Sequence, residues 1–204
     1  MRIIRCQIRK HRCFMEHMVT DKERWIEAAC AGDQDAFSRL VEAYQNPVYN
    51  LAYRMLGNGA EAEEAAQEAF LRAYLHLDSY DPQRSFTTWL LSITSHYCID
   101  QLRRRHMTLL PLKEELARPG RLTNASPNPE SVVTRREREA RIEHMLSTLS
   151  PTDRAAVLLH YWYDHSYKEI AQVLDLTVSA VKSRLYRARR SLAELLEGDL
   201  ADAL

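Results

Sequence analysis

Apolar residues along this chain recur three and four positions apart, the period of a helix with one buried face, and the strict alternation of a half-buried strand is scarce. Thr20-x-x-Glu23 reads as a capping box ahead of Trp25, Ile26 and Ala29, with a stop at Gly32. Asp33 caps a second helix with Phe37, Leu40, Val41 and Tyr44 on its apolar face. Pro47 is expected to interrupt it before Val48, Leu51, Ala52 and Met55 carry the period to Gly57. Asn58-x-x-Glu61 starts a third helix reaching about Leu77, with Ala62, Ala66, Phe70, Ala73 and Leu77 inward. After a loop from Asp78 to Ser85, a fourth helix turns Phe86, Trp89, Leu90, Ile93 and Tyr97 inward and ends in Arg103-Arg104-Arg105. Trp89 is expected in the core rather than stacked on a ligand.

The period dissolves from His106 to Thr134, where Pro111, Pro119, Pro127, Pro129 and Gly120 accompany a polar run, as in a flexible linker. The expected class is therefore all-α, two small helical domains on a tether: a loose tail over 1–19, a first domain over 20–105, a linker over 106–134 and a second domain over 135–197. The second domain opens with Arg138 to Leu149. Ser150-Pro-Thr-Asp then starts a helix carrying Ala156, Leu159 and Trp162, with proline at its first position.

Next comes Ser166-Tyr-Lys-Glu169, a capping box on a short helix with Ile170, Ala171, Val173 and Leu174 inside. A turn at Asp175-Leu176 follows, and Thr177 caps a longer helix. Short helix, tight turn and longer helix make a helix-turn-helix, whose second helix can enter the DNA major groove. On that helix Val181, Leu185, Ala188, Leu192 and Leu195 form the buried stripe. Ser179, Lys182, Ser183, Tyr186, Arg187 and Arg190 lie away from it and are the candidate DNA contacts. Arg184 sits nearer the apolar border, where it would brace the motif or touch phosphate. Guanidiniums beside small hydroxyls suit groove reading and phosphate clamping.

Charge refines this picture. In 204 residues, 28 Lys and Arg balance 28 Asp and Glu. Uniformly basic DNA coating is excluded, and segregated charge fits instead. Cys6, Cys13, Cys30 and Cys98 form no CxxC pair and are expected as reduced thiols of a cytoplasmic protein. The Cys6/His11/Cys13/His17 cluster lacks zinc-finger spacing, so no metal or cofactor is expected. No apolar run approaches the ~18 residues of a membrane helix. The basic N-terminus lacks a secretory signal's apolar stretch, and residues 1–17 are either tail or sequence upstream of a start at Met15 or Met18.

On the third helix, Leu71 and Leu75 fall outside the inward stripe, beside Glu64, Gln67 and Glu68. Two leucines on an acidic flank suggest a docking strip for another protein. Glu61-Ala-Glu-Glu-Ala-Ala-Gln-Glu-Ala-Phe-Leu-Arg-Ala-Tyr74 resembles region 2.2 of the extracytoplasmic-function sigma factors of bacterial RNA polymerase. Phe86-Thr-Thr-Trp-Leu-Leu-Ser-Ile93, on to Asp100-Gln-Leu-Arg-Arg-Arg105, resembles regions 2.3 and 2.4. Leu149-Ser-Pro, Glu169-Ile-Ala171 and Val181-Lys-Ser-Arg-Leu-Tyr-Arg-Ala-Arg189 resemble region 4, so the likeness runs from about Asp21 to Leu196.

The resemblance implies a promoter-recognition subunit that is not itself an enzyme. Glu64, Gln67, Glu68, Leu71 and Leu75 would dock on the clamp helices of the polymerase's largest subunit. Ser79, Tyr80, Asp81, Gln83 and Arg84, with His96, would face the minus-ten element, where relatives help capture a flipped base. Arg103, Arg104 and Arg105 would meet phosphate. The implied partners are core polymerase, promoter DNA and an anti-sigma factor, with no membrane insertion. Only Gly198 to Leu204 follow the last helix, so regulation is expected from outside. Two positions depart from the family: His96 stands where Asn is common, and Ser179-Ala180 where Gly-Thr is frequent. An ordinary helix-turn-helix regulator is the alternative, and it leaves the Gln67/Phe70 helix unexplained. A nucleic-acid enzyme is a further one, but neither GxxxxGK[ST] nor HExxH occurs.

Overall fold

A computed structural model describes residues 21–109 and 139–201, all helix and connecting turn with no strand among them. The expected tail and nearly all of the expected linker, with Cys6 and Cys13, lie outside the described residues, as does the Thr20 cap. Helix α1 covers 21–30 and stops in a turn where Gly32 takes φ 96°. Helix α2, Gln34–Leu56, starts where the Asp33 carboxylate accepts the Asp35 and Ala36 amides at 2.9 and 3.1 Å. It ends at Gly57, φ 71°, where a side chain would also meet the Glu143 carboxylate at 2.7 Å.

Pro47 does not break α2: the helix runs through it. A proline removes one backbone donor, and burial of Leu40, Tyr44, Val48, Leu51 and Met55 along one face outweighs that loss. Helix α3, Gly59–Leu75, is capped by the Asn58 side chain, which accepts the Ala60 and Glu61 amides. Its buried row is Ala62, Ala65, Ala69 and Ala73, with Ala66 and Phe70 only half-buried. The expected stripe thus shifts toward the alanines, which let α2 and α4 approach closely. A 3-10 turn, Leu77–Ser79, leads to helix α4, Phe86–Leu109, which continues past Arg105.

The second half packs as α5 (139–147), α6 (Pro151–Tyr161), α7 (Tyr167–Val173) and α8 (Val178–Ala201). The Ser150 and Ser166 caps form as expected, the latter as a reciprocal capping box with Glu169. Both halves close on one apolar cluster: Leu51, Met55, Leu91 and Cys98 from the first meet Leu158, Leu159, Ile170 and Val173 from the second. A smaller cluster around Leu40, Val48, Phe86 and Leu90 lies within the first half.

Polar groups cross the same seam. Arg154, almost fully buried, donates to Leu146 O at 2.6 Å and across to Met55 O at 2.5 Å. Tyr163 donates its hydroxyl to Pro47 O at 2.6 Å, and Ser92 donates to Val173 O at 2.9 Å. The Arg54 guanidinium lies 4.9 Å above the Trp162 ring. Burial at the seam holds the Cys98 thiol protonated, with its pKa pushed up to about 12.

Candidate functional site

The helix-turn-helix is built by local chemistry. Tyr167–Val173 ends at Leu174, Asp175 takes the left-handed conformation at φ 52°, and Leu176 N–H donates back to Ala171 O at 2.9 Å. The Thr177 hydroxyl accepts the Ala180 amide at 3.1 Å and starts α8. Val181, Leu185 and Ala188 are buried, while Leu192 and Leu195 are half-buried as the helix leaves the core. Ser179, Lys182, Ser183, Tyr186, Arg187 and Arg190 are all exposed, Tyr186 by 68%. Arg190 pairs loosely with Glu194 at 2.9 Å. Arg184 braces the motif, donating to Asp153 at 2.9 Å in a partly buried pair.

The α3 strip is equally plain. Leu71 and Leu75 are 52% and 63% exposed, and Gln67 and Glu64 are exposed beside them. Glu68 is half-buried and holds Arg72 at 2.7 Å, and Arg72 sits 5.0 Å above the Tyr97 ring. Two features escaped the sequence reading. Tyr74 is 45% exposed next to the leucines, edge-on to Phe37. Gln67 also forms one wall of a groove with Gln45, Asn46 and Tyr49 of α2. Nothing in α2's own pattern singled out that face, because the groove exists only once α2 and α3 pack.

The residues expected at the minus-ten element divide in two. Exposed groups are Ser79, Asp81, Gln83, Arg84, His96, Arg103 and Arg104. Several of these are engaged locally: Ser79 donates to His76 O at 2.6 Å, and Arg103 lies 3.8 Å from Asp100. His96 keeps its ring Nδ1 2.9 Å from Ser92 O. Tyr80 and Arg105 turn inward. Arg105 is paired with Glu61 and donates to Leu56 O at 3.2 Å, and burial lowers its pKa from the ordinary arginine value. Glu61 is thus drawn away from closing a capping box on Asn58. Trp89 is half-buried against Phe86 and Tyr80, at 5.5 and 5.3 Å between ring centres.

Among the described residues, no three His, Cys, Asp or Glu side chains gather as a metal site would require, and no helix is long and apolar enough to cross a membrane. Cys30 and Cys98 are free thiols.

Comparison with known proteins gives this arrangement a family. The Sigma-70 region 2 model matches residues 40–107, and the Sigma-70, region 4 model matches 139–192. The ECF RNA polymerase sigma factor SigW of Bacillus subtilis is 37% identical over 188 residues, covering 89% of this chain and 98% of that protein. The ECF RNA polymerase sigma-E factor of Escherichia coli K12 is 32% identical over 183 residues, 87% of this chain and 95% of the relative. Among solved structures, CnrH in complex with the cytosolic domain of CnrY superposes with TM-score 0.66 at 26% identity, over 88% of this chain and 99% of that one. The region 2 match disfavours a helix-turn-helix regulator that has no polymerase-binding half. With both regions present and relatives matched over nearly their full length, this chain belongs to the ECF RNA polymerase sigma factors, which direct promoter-specific initiation of transcription.

Proposed function

We propose that α8 reads the minus-35 duplex, that the 79–85 loop with α4 holds the melted minus-ten strand, and that the exposed strip on α3 docks core polymerase. The observation that carries this reading is the free face of α8. Six groove-compatible side chains stand in solvent away from the buried Val181, Leu185 and Ala188, and the one cation nearest the core, Arg184, is already spent on Asp153. Ser183, Lys182 and Arg187 are the leading groove residues. Leu71, Leu75 and Gln67 are the leading docking residues. Bond-making stays with polymerase, and this chain contributes recognition in the cytoplasm.

Geometry adds a requirement. The minus-ten and minus-35 elements are separated by about 25 base pairs, or ~85 Å at ~3.4 Å each. Helix α7 packs on both α4 and α8, so the two proposed DNA faces lie within a few helix diameters of each other. Serving both elements together therefore requires the seam to part. A linker of ~29 residues, at up to ~3.3–3.6 Å per residue, is long enough to allow it. A protein partner of the anti-sigma kind would act by preventing that. Tyr161, Trp162 and Leu196, beside Ile142 and Met145, offer it an apolar surface.

Run-off transcription with bacterial core polymerase on a pool of promoter fragments is the test. Template-specific transcripts that are lost in Gln67→Ala/Leu71→Ala support the docking strip and identify the promoter. Transcripts that survive both substitutions place core binding elsewhere.

A further inference from the structure

Tyr80 lies in the loop expected to meet the melted strand, yet its side chain points into the fold. The ring packs 5.4 Å from Phe86, nearly edge-on at 78°, and 5.3 Å from Trp89. Its hydroxyl donates to the Arg84 carbonyl at 2.7 Å, closing the loop across four residues. Inside that closure the turn is organised by Asp81. Its carbonyl accepts the Arg84 amide and its Oδ1 accepts the Gln83 amide, both at 2.9 Å, while Oδ2 lies 3.6 Å from Arg84 Nε.

Tyr80 and Asp81 thus spend their polar groups on the loop itself, and Ser79 on His76 O before it. Gln83 is exposed on the closed loop, with Arg84 and Ser85 beside it. An amide is a paired donor and acceptor, the combination that matches a base edge such as that of adenine. A base taken out of the stack exposes that edge to a shaped pocket. Recognition of this kind needs the reading group held still before the base arrives, because ordering a loop on binding costs affinity.

We infer that Tyr80 is a positioning residue: seated on Phe86 and Trp89, it clamps the 81–84 turn through Arg84 O so that Gln83 is presented to an unstacked base. This rests on the proposed minus-ten role of the loop. Burial first, then the neighbouring Cys30, Tyr44 and Asp81, hold the Tyr80 phenol above its ordinary pKa, so the clamp keeps its proton.

The experiment uses holoenzyme reconstituted from the full chain and core polymerase, and single-stranded oligonucleotides randomised over the minus-ten positions. Affinity and base bias are measured for wild type, Tyr80→Phe, Gln83→Ala and the double variant. Duplex carrying the minus-35 element, taken from the promoter found by run-off, serves as control. Tyr80→Phe should weaken strand binding about 3- to 10-fold, as loss of one hydrogen bond does. It should also flatten base preference at the position where Gln83→Ala abolishes it. In the Gln83→Ala background the same change should cost less than about twofold, because the two residues act as one unit. Duplex binding should not move.

Additive losses, or a selected pool identical to wild type, overturn the inference. So do equal losses on strand and duplex with a lowered unfolding midpoint, which would make Tyr80 merely structural. A wild-type holoenzyme with no strand bias overturns the minus-ten role of the loop itself. That result is distinct from one in which wild type and Tyr80→Phe select equally well.

Discussion

Two helices of equal length, α4 and α8, each 24 residues, do opposite things with their surfaces. Helix α8 buries one stripe, Val181, Leu185 and Ala188, and leaves the rest to solvent and to its basic side chains. Helix α4 buries Phe86 and Leu90 against the first half and Leu91, Tyr97, Cys98 and Ile99 in the shared cluster, with Thr94 and Ser95 between. A helix covered on one side shows its function in its sequence period, whereas a helix covered on two sides does not. The proposed minus-35 face is therefore a property of α8 alone. The proposed minus-ten face is what α4 and its loop retain after α2, α3, α6 and α7 have packed against them.

Arg154→Ala attacks the seam side of this contrast hardest. It strands buried acceptors on both halves, Leu146 O and Met55 O, and should cost about 2–4 kcal/mol in chemical denaturation. One cooperative unfolding step should become two. A single unshifted transition would mean that the halves do not depend on each other through this residue.

Arg187→Ala probes the opposite side, where nothing is packed. Folding stability should stay within about 0.5 kcal/mol of wild type. Minus-35 duplex affinity should fall by about 1–3 kcal/mol if a base is read. If only phosphate is touched, it should weaken uniformly, with the salt slope reduced by ~1. Fluorescence anisotropy at several salt concentrations separates these outcomes.

Tyr163→Phe removes only a hydroxyl from the seam, the donor to Pro47 O, and should cost about 1 kcal/mol of stability. Placing fluorophores on the two halves should show the free chain shifted toward the parted form, with duplex binding by α8 unchanged.

The smallest effect belongs to Glu169, whose carboxyl is held below its ordinary range first by its hydrogen bonds with Ser166. The sign is that of a depressed acid: its stabilisation is fully present above the unfolded pKa and is lost as pH falls through the folded one. Glu169→Gln keeps the capping geometry and should flatten the acid limb of stability measured below about pH 4.5. An unchanged acid limb would show that the capping charge contributes nothing.

Much of this was legible residue by residue. The caps at Asp33, Asn58, Ser150, Ser166 and Thr177 are local, because each side chain satisfies amides two or three positions away. The exposed Leu71 and Leu75 followed from helical phase alone, as did the α8 stripe. Pro47 misled because its local penalty is visible in the sequence, while the burial that overrides it comes from distant residues. For Tyr80 and Arg105 the family likeness implied a place near DNA, but their internal partners, Arg84 O for the first and Leu56 O and Glu61 for the second, could not be read from the sequence, because packing alone brings them within reach.

By itself, then, the sequence determined the helices, their caps, the helix-turn-helix and the kinship with sigma factors, since all of these depend on neighbours within a few turns. Only tertiary structure decided that α2 runs unbroken, which loop residues face inward, and that Arg154, Tyr163 and Ser92 join the two halves. Those outcomes turn on contacts between residues as far apart as Met55 and Arg154, where the loss of an unpaired buried group outweighs any local preference.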